Sequence, residues 1–462
     1  MKSLGKNKLK PKTAVILGAG FSGLLAAEAL SKRFDKVIVI ERNQLSWSSP
    51  SLRSGVPQAK QFHVLLNSGL TLLEQIFPGI NSELDQLGVP LVDYTKDCML
   101  FSPLGAVPRF PSSLLIRPTE RPLLDYLILK RIKKNPKVEI LENLHCRKLN
   151  YRDDKIESLE GMKKEELITV KGDFFLDTMG RNSFVEKWYK SKGIIESKHV
   201  QTIDPFLGYS TQKFLRPKGY NPNWRAIEVA SRPPDNPRAS GLWDIGNGQW
   251  MVALIGVSKC YPPRRPEEFL NYAKELENPL IYEELKKATP IGPLHHFRGA
   301  KNRWIHYEKV KGLPSNFLSI GDSVCTFNPT YGQGMSLVLK EVSLLSSRLS
   351  KLSTIEDKDL SNLSKYMRKK IPKLIAPAWF LASCEDFNWP MTEGKRSNLT
   401  LKVSHYFMDK LAPIAPYSKE LVEAFLSVAN LVKSPAALAH PIIIKQFITY
   451  KLLGAPKNNE TF

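Results

Sequence analysis

The residues best suited to chemistry in this chain are glycines and carboxylates grouped at two turns. One group is Gly18-Ala19-Gly20-Phe21-Ser22-Gly23, followed later by Glu41; the other is Gly321-Asp322, followed by Pro329-Thr-Tyr-Gly332-Gln333-Gly334-Met335. In a G-x-G-x-x-G turn the first glycine allows a sharp bend, the second lets backbone approach a pyrophosphate, and the third lets a helix pack on a strand. The helix start then offers bare amides and the positive end of its dipole to negative charge. Glu41 stands where an acidic residue accepts hydrogen bonds from a ribose. Asp322 directly follows an apolar run, so its carboxylate sits at a strand's C-terminal edge, where it suits the hydroxyls of a sugar or ribityl chain. The run from Pro329 opens a helix whose N-terminus can stabilise charge on a ligand's reactive end.

Particular elements must hold these groups. Thr13–Leu17 reads as a buried parallel strand, residues 24–31 as a helix, and Lys36–Ile40 as a second strand, the context that gives the glycine motif its meaning. Residues 62–77 carry a helical pattern with Leu65, Leu66, Leu70, Leu73 and Ile76 on one side. Arg121–Ile132 is a further expected helix, with Pro122 tolerated in its first turn. Short strands are expected at Val138–Leu141, 146–151, 167–170 and Phe174–Asp177, and the runs in 206–255 suit a largely antiparallel sheet with one covered face. Residues 317–320 read as a strand that returns the chain to its first unit, and the remainder beyond Met335 reads as helical. With a single G-x-G-x-x-G, one dinucleotide is held firmly; a nicotinamide binds transiently, or electrons arrive from another protein.

A chain of 462 residues is too long for one simple core and implies two or three lobes. Its net charge of +22 favours anionic surroundings or a lysine-rich solvated surface. No zinc spacing or aromatic-basic RNA motif is present, so nucleic acid is not an expected partner. Five dispersed cysteines form no C-x-x-C, and the histidines form no metal spacing, so neither a disulfide scaffold nor a metal site is expected. The first twelve residues resemble a disordered basic leader without an apolar core. A cytoplasmic location is expected, or a peripheral one on the inner face of a membrane. Residues 421–432 and Pro441–Leu453, helical and apolar on a broad face, either pack on the nucleotide-binding lobe or rest on that membrane.

The order Gly18-x-Gly20-x-x-Gly23, Asp177-Thr-Met-Gly180-Arg181 and Gly321-Asp322 with Pro329 and Gly332-x-Gly334 resembles flavoprotein monooxygenases of the p-hydroxybenzoate-hydroxylase fold. Similarity is closer to bacterial flavin-dependent polyene epoxidases, relatives of squalene epoxidase. Arg53-Ser-Gly-Val-Pro-Gln58 with His63, Gly208-Tyr209, the run 327–335, Trp379 with Asp386, and Ser434-Pro-Ala-Ala-Leu438 carry it. Gln61 departs from the pattern, which more often has histidine there. The paired-tryptophan element of flavin halogenases is not found; Trp389-Pro390 is an isolated echo.

The resemblance implies an α/β fold: a Rossmann-type FAD-binding domain (1–88, 116–186, 304–350), an inserted antiparallel-sheet substrate domain (89–115, 187–303) and a helical C-terminal region (351–462). Gly18, Ala19, Gly20, Phe21, Ser22, Gly23 and Glu41 would hold the ADP half, with Arg42 near the adenosine. Arg121 would pair with the pyrophosphate or ribityl region, and Asp177 and Gly180 would form an inner motif touching FAD. Gly321, Asp322, Pro329, Gly332, Gln333, Gly334 and Met335 would place the riboflavin. Arg53, Gln58 and His63 would lie along the flavin, Arg53 and His63 being candidates for catalysis, against the alternatives of a surface cation and a packed histidine. The implied chemistry is transfer of one oxygen atom from a C4a-(hydro)peroxyflavin to a largely apolar substrate, by epoxidation or hydroxylation. NAD(P)H would reduce the flavin directly or through a flavin or ferredoxin-type reductase. Two other readings stay open: an FAD-linked reductase or dehydrogenase of a prenyl or polyene substrate, and a non-catalytic flavin-binding interaction protein.

Overall fold

Short apolar runs beside glycine turns build the central layer: β1 (Thr13–Leu17), α1 (Phe21–Ser31) and β2 (Lys36–Ile40). The computed structural model describes residues 10–352, 355–395 and 411–453. Then come β3 (Val64–Leu65), α2 (Asn67–Ile76), α3 (Ile80–Gln86), β4 (Val92–Asp93), β5 (Cys98–Ser102), β6 (Gly105–Ala106) and β7 (Leu115–Pro118). Helix α4 (Arg121–Ile132) leads to β8 (Val138–Leu141), the meander β9 (Leu144–Arg152), β10 (Lys155–Lys163) and β11 (Glu166–Lys171), then β12 (Phe174–Asp177) and α5 (Phe184–Ser191). A second stretch holds β13 (Val200–Leu215), β14 (Ala226–Val229), β15 (Arg238–Gly246), β16 (Gln249–Gly256), α6 (Phe269–Lys274), α7 (Leu280–Leu285) and β17 (Thr289–Ile305). The chain closes with β18 (Phe317–Ser319), β19 (Cys325–Thr326), α8 (Gly334–Ser350), α9 (Asp357–Asp386), β20 (Glu393–Gly394), α10 (Lys419–Ala429) and α11 (Pro441–Leu453).

A five-stranded parallel sheet runs in the order β18-β12-β1-β2-β8. Both its faces are covered, which is why β1 and β12 read as continuous apolar runs. The pairings Leu17↔Ile40, Leu17↔Asp177 and Asp177↔Ser319 align the ends of β2, β1, β12 and β18 along one edge. Gly18, Glu41, Thr178 and Gly321 therefore all leave the sheet at the same place.

The nine-stranded sheet, ordered β19-β17-β13-β16-β15-β14-β5-β6 with β20 beside β13, is largely antiparallel. One face packs Phe214, Ile227, Leu242, Trp250, Val252 and Leu254 against α6 and α7. Strand alternation turns Thr211, Glu228, Gly241, Trp243 and Ala253 the other way, toward the first lobe.

The helix expected over 62–77 begins only at Asn67. Val64 and Leu65 instead pair with Pro118 and Arg117 of β7, a distant partner that overrides the local helical period. The expected leader falls mostly on residues 1–9, outside the described residues, but Lys12 is tied down by Asp173 at 3.1 Å and Asp357 at 2.8 Å. No helix among the described residues is long and apolar enough to cross a membrane. In the C-terminal region α10 buries Leu421, Val422 and Leu426, whereas α11 exposes Ile442, Ile444, Ile448 and Leu452.

Candidate functional site

The common edge of β12, β1 and β2 opens into a cavity of about 1580 Å³. Gly18, at φ +103°, turns the chain out of β1, and its amide donates to the Ile40 carbonyl at 2.8 Å. A Cβ on Gly23 would lie 1.9 Å from the Gly18 carbonyl oxygen, so glycine alone lets α1 start this close to the turn. Gly20 is different: among the described residues nothing lies within 4 Å of its Cβ position, and it lines the cavity with Phe21 and Ser22.

Glu41 shapes this turn from the end of β2. Its carboxylate accepts from the Ala19 amide at 3.0 Å and the Asn43 amide at 2.9 Å, and both it and Arg42 border the cavity. Arg53 donates to the Ala19 carbonyl at 2.9 Å, stands 3.7 Å from Glu41 and reaches Asp125 at 3.3 Å. The other oxygen of Asp125 holds Arg121 at 2.7 Å, and the Arg121 guanidinium lies 4.8 Å from the centre of the Phe21 ring. One carboxylate thus positions both arginines, a role that the i, i+4 spacing of Arg121 and Asp125 hints at.

Asp177 is fully buried behind the wall. It accepts from the Met179 amide at 3.0 Å and the Ser183 hydroxyl at 2.7 Å, and lies 3.3 Å from the Ser323 hydroxyl, which itself accepts from the Gly180 amide. Burial pushes its carboxyl up to about 6. Gly180 forms part of the cavity wall, while Asp177 fixes the turn that carries it.

The Gly321 amide donates to Glu341 of α8 at 2.7 Å, and burial raises that carboxyl to about 7. The neighbouring Asp322 faces the cavity; burial raises its carboxyl, against the lowering pull of Arg181 and Arg121. Pro329, Gly332, Gln333, Gly334 and Met335 continue the wall. Their loop is anchored to α9, where Asp386 accepts from Asn328 at 2.6 Å and also from Asn302. Both α1 and α8 start on the cavity without a side-chain cap or an acidic residue in the first turn, so each turns bare amides and a positive dipole end toward it.

Gln58 and His63 border the same space. His63 Nδ1 lies 2.9 Å from the Gln61 carbonyl, and burial followed by the nearby Arg121 lowers the imidazole to about 4. The ring is therefore neutral near pH 7, with its proton on Nδ1 and Nε2 left as an acceptor. Gln61 accepts from the Thr211 hydroxyl at 2.6 Å, which ties this segment to the larger sheet.

Of the residues expected to hold the cofactor or take part in catalysis, Ala19, Gly23, Arg53, Asp177 and Gly321 stand behind the wall and the others line it; Gly208, Trp379, Asp386 and residues 434–438 lie off the cavity. Beyond Asp322 and His63 the cavity continues under the nine-stranded sheet as an apolar chamber. Phe62 stacks on Trp243 at 5.4 Å, and Val422 and Phe425 of α10 close one side. In this chamber the Tyr94 hydroxyl donates to Glu228 at 3.0 Å. Sequence reasoning missed Tyr94, Glu228 and α10 as parts of the site; the polar residue within Ala226-Ile-Glu-Val229 was the one available signal.

The glycine-lined cleft, two uncapped helix starts and the carboxylates of Glu41 and Asp322 fit a dinucleotide. No family model matches the chain. Protein Rv3254 of Mycobacterium tuberculosis (strain ATCC 25618 / H37Rv) is 25% identical over 451 residues, covering 95% of this chain and 94% of that protein. Kynurenine 3-monooxygenase of Drosophila willistoni is 23% identical over 359 residues, 74% of this chain and 72% of that one. Among solved structures, the flavin-dependent brominase Bmp2 matches with a TM-score of 0.62 at 14% identity, covering 96% of this chain and 100% of that chain. The architecture is the p-hydroxybenzoate-hydroxylase-like fold found in flavin-dependent monooxygenases and halogenases.

Proposed function

We propose that this protein is an FAD-dependent monooxygenase that places one atom of dioxygen on a largely apolar substrate. The observation that carries this reading is the continuity of the cavity, which joins a cleft suited to a dinucleotide with an apolar chamber. Its volume of about 1580 Å³ exceeds the roughly 300–1,000 Å³ of a site for one small molecule, so two ligands can meet inside it. FAD is the proposed dinucleotide because the fold is one used with flavin and the chain has a single βαβ fingerprint.

In this reading Gly18, Gly20, Phe21, Ser22, Glu41 and Arg42 hold the ADP half, and Arg121 meets the pyrophosphate or ribityl region. Asp322 and the loop from Pro329 to Met335 hold the ribityl chain and ring. Ala19, Gly23, Arg53, Asp177 and Gly321 act indirectly, by fixing the shape of that cleft. Reduced FAD, when bound, supplies the activation of dioxygen. The start of α8 favours negative charge at the ring, the neutral His63 offers an acceptor beside it, and α10 keeps water from the chamber. Residues 89–115 and 187–303 serve the substrate in this division, and the remaining lobe before residue 351 serves the cofactor. Reduction by NAD(P)H, directly or through a reductase, and epoxidation of an alkene as the reaction belong to the same proposal; the apolar chamber supports the latter.

The test is anaerobic reduction of the FAD-loaded protein, followed by isotope-labelled dioxygen and a panel of apolar polyenes and phenols. One labelled oxygen atom in a product is the expected result. Reoxidation that yields only stoichiometric peroxide across the panel would overturn the reading in favour of a reductase.

A further inference from the structure

The chamber holds one carboxyl group whose position its surroundings do not explain. Glu228 stands in β14 between Leu100 of β5 and Gly241 of β15, on the face that looks into the cavity. A Cβ on Gly241 would lie 2.9 Å from the Trp243 indole nitrogen and 3.9 Å from Glu228 Cγ, so the missing side chain keeps the space beside the carboxyl clear. The Tyr94 hydroxyl occupies one carboxyl oxygen at 3.0 Å. Among the described residues no cation bears on Glu228; Tyr94 is its one hydrogen-bond partner, with the Cys98 thiol also nearby. A carboxyl without a counter-charge in apolar surroundings lowers stability, and the tyrosine engages only one of its two oxygens.

Resting on the reading of this chamber as the substrate site, we propose that Glu228 and Tyr94 anchor a substrate bearing a hydroxyl group on an otherwise apolar body. A hydroxyl can donate to the free oxygen of an ionised Glu228, or accept from the carboxyl when it is protonated. An ammonium group can only donate, and pairing it here would bury two charges in an apolar chamber. Burial raises the Glu228 carboxyl to about 7, so a neutral partner is compatible with either protonation state near neutral pH. The anchor fixes which end of a long apolar molecule lies deepest beneath the sheet, and so which carbon lies at the cleft.

The experiment compares retention of 4-octylphenol and octylbenzene by the full-length, FAD-loaded protein in equilibrium dialysis. The wild type is expected to hold the phenol about tenfold more tightly than the hydrocarbon, the range for a hydrogen bond to an ionisable group. Glu228→Leu should remove that preference while keeping flavin content and a cooperative melting transition. Glu228→Gln, which still accepts and donates, should restore part of it. Equal or absent retention of the two probes by the wild type, or an unchanged preference in Glu228→Leu, would overturn the anchor. Oxygen transfer is not needed for any of these readings, so failure of the monooxygenase assay would be a separate result.

Discussion

A Cβ on Gly23 would approach the Gly18 carbonyl oxygen to 1.9 Å, whereas the same atom on Gly20 would meet nothing within 4 Å among the described residues. The two glycines of one motif therefore do different work, one in the packing of the turn and one on the open wall of the cavity. Gly23→Ala should destabilise the fold by about 1–3 kcal/mol, the usual range for overpacking. Gly20→Val, at φ −75° in an ordinary backbone conformation, should melt like the wild type yet lose FAD. Calorimetry and flavin absorbance separate the two effects; full flavin occupancy in Gly20→Val would sink the placement of the pyrophosphate.

Asp322→Ala should also lose FAD without loss of fold. Burial disfavours its charged form, so removing the carboxyl does not weaken the empty protein. The check is flavin content after gel filtration, and undiminished occupancy would contradict a ribityl contact at this residue.

Asp386 binds two asparagines that brace the loop from Asn328 to Gln333. Asp386→Ala leaves Asn302 and Asn328 with unmet donors inside the protein, at about 1–3 kcal/mol for each buried group. Melting temperature and flavin retention should fall together. Asp386→Asn, which keeps an acceptor, should be milder, and equal losses in the two variants would contradict an acceptor role.

Glu341 predicts a pH dependence. Its carboxyl moves from 4.5 to about 7 on folding, so between those values the folded state binds more protons than the unfolded state. The stabilisation it contributes is present below about pH 4.5 and is lost as pH rises toward 7, by up to about 3 kcal/mol at about 1.4 kcal/mol per pKa unit. His63 acts in the opposite sense, since its lowered value of about 4 costs stability as pH falls below 6.5. Denaturant unfolding of flavin-free protein from pH 5 to 8 should show a decline in wild type, to which the raised carboxyls of Asp177 and Glu228 also contribute, and Glu341→Gln should make it shallower. An identical decline in both proteins would remove Glu341 as a source.

The parts of the fold and candidate site legible in the sequence are those in which a residue type sits at a fixed chain distance from the element it serves. Gly18, Gly20 and Gly23 follow a strand and open a helix, Glu41 ends the next strand, and Asp322 follows a short apolar run. Val64 and Leu65 were not legible as a strand because their partner is β7, and nothing local distinguishes them from the helix they precede. Glu228 required the register of β14 against β5 and β15 before its face was known. The fit of α10 over the chamber depends on Phe110 and Leu114, which contact Val422 and Leu426 only in the folded chain.

The order β18-β12-β1-β2-β8 also sets a sequence of events during synthesis. The first wall of the cleft leaves the ribosome with Gly18, while β18, Asp322 and the start of α8 emerge only after most of the chain has been made. A nascent chain that ends before Gly334 has the Gly18 turn but lacks the cavity wall formed by Gly334 and Met335. Under the proposed reading the cleft is complete only once these distant segments have met, and such long-range pairing is the slow part of folding.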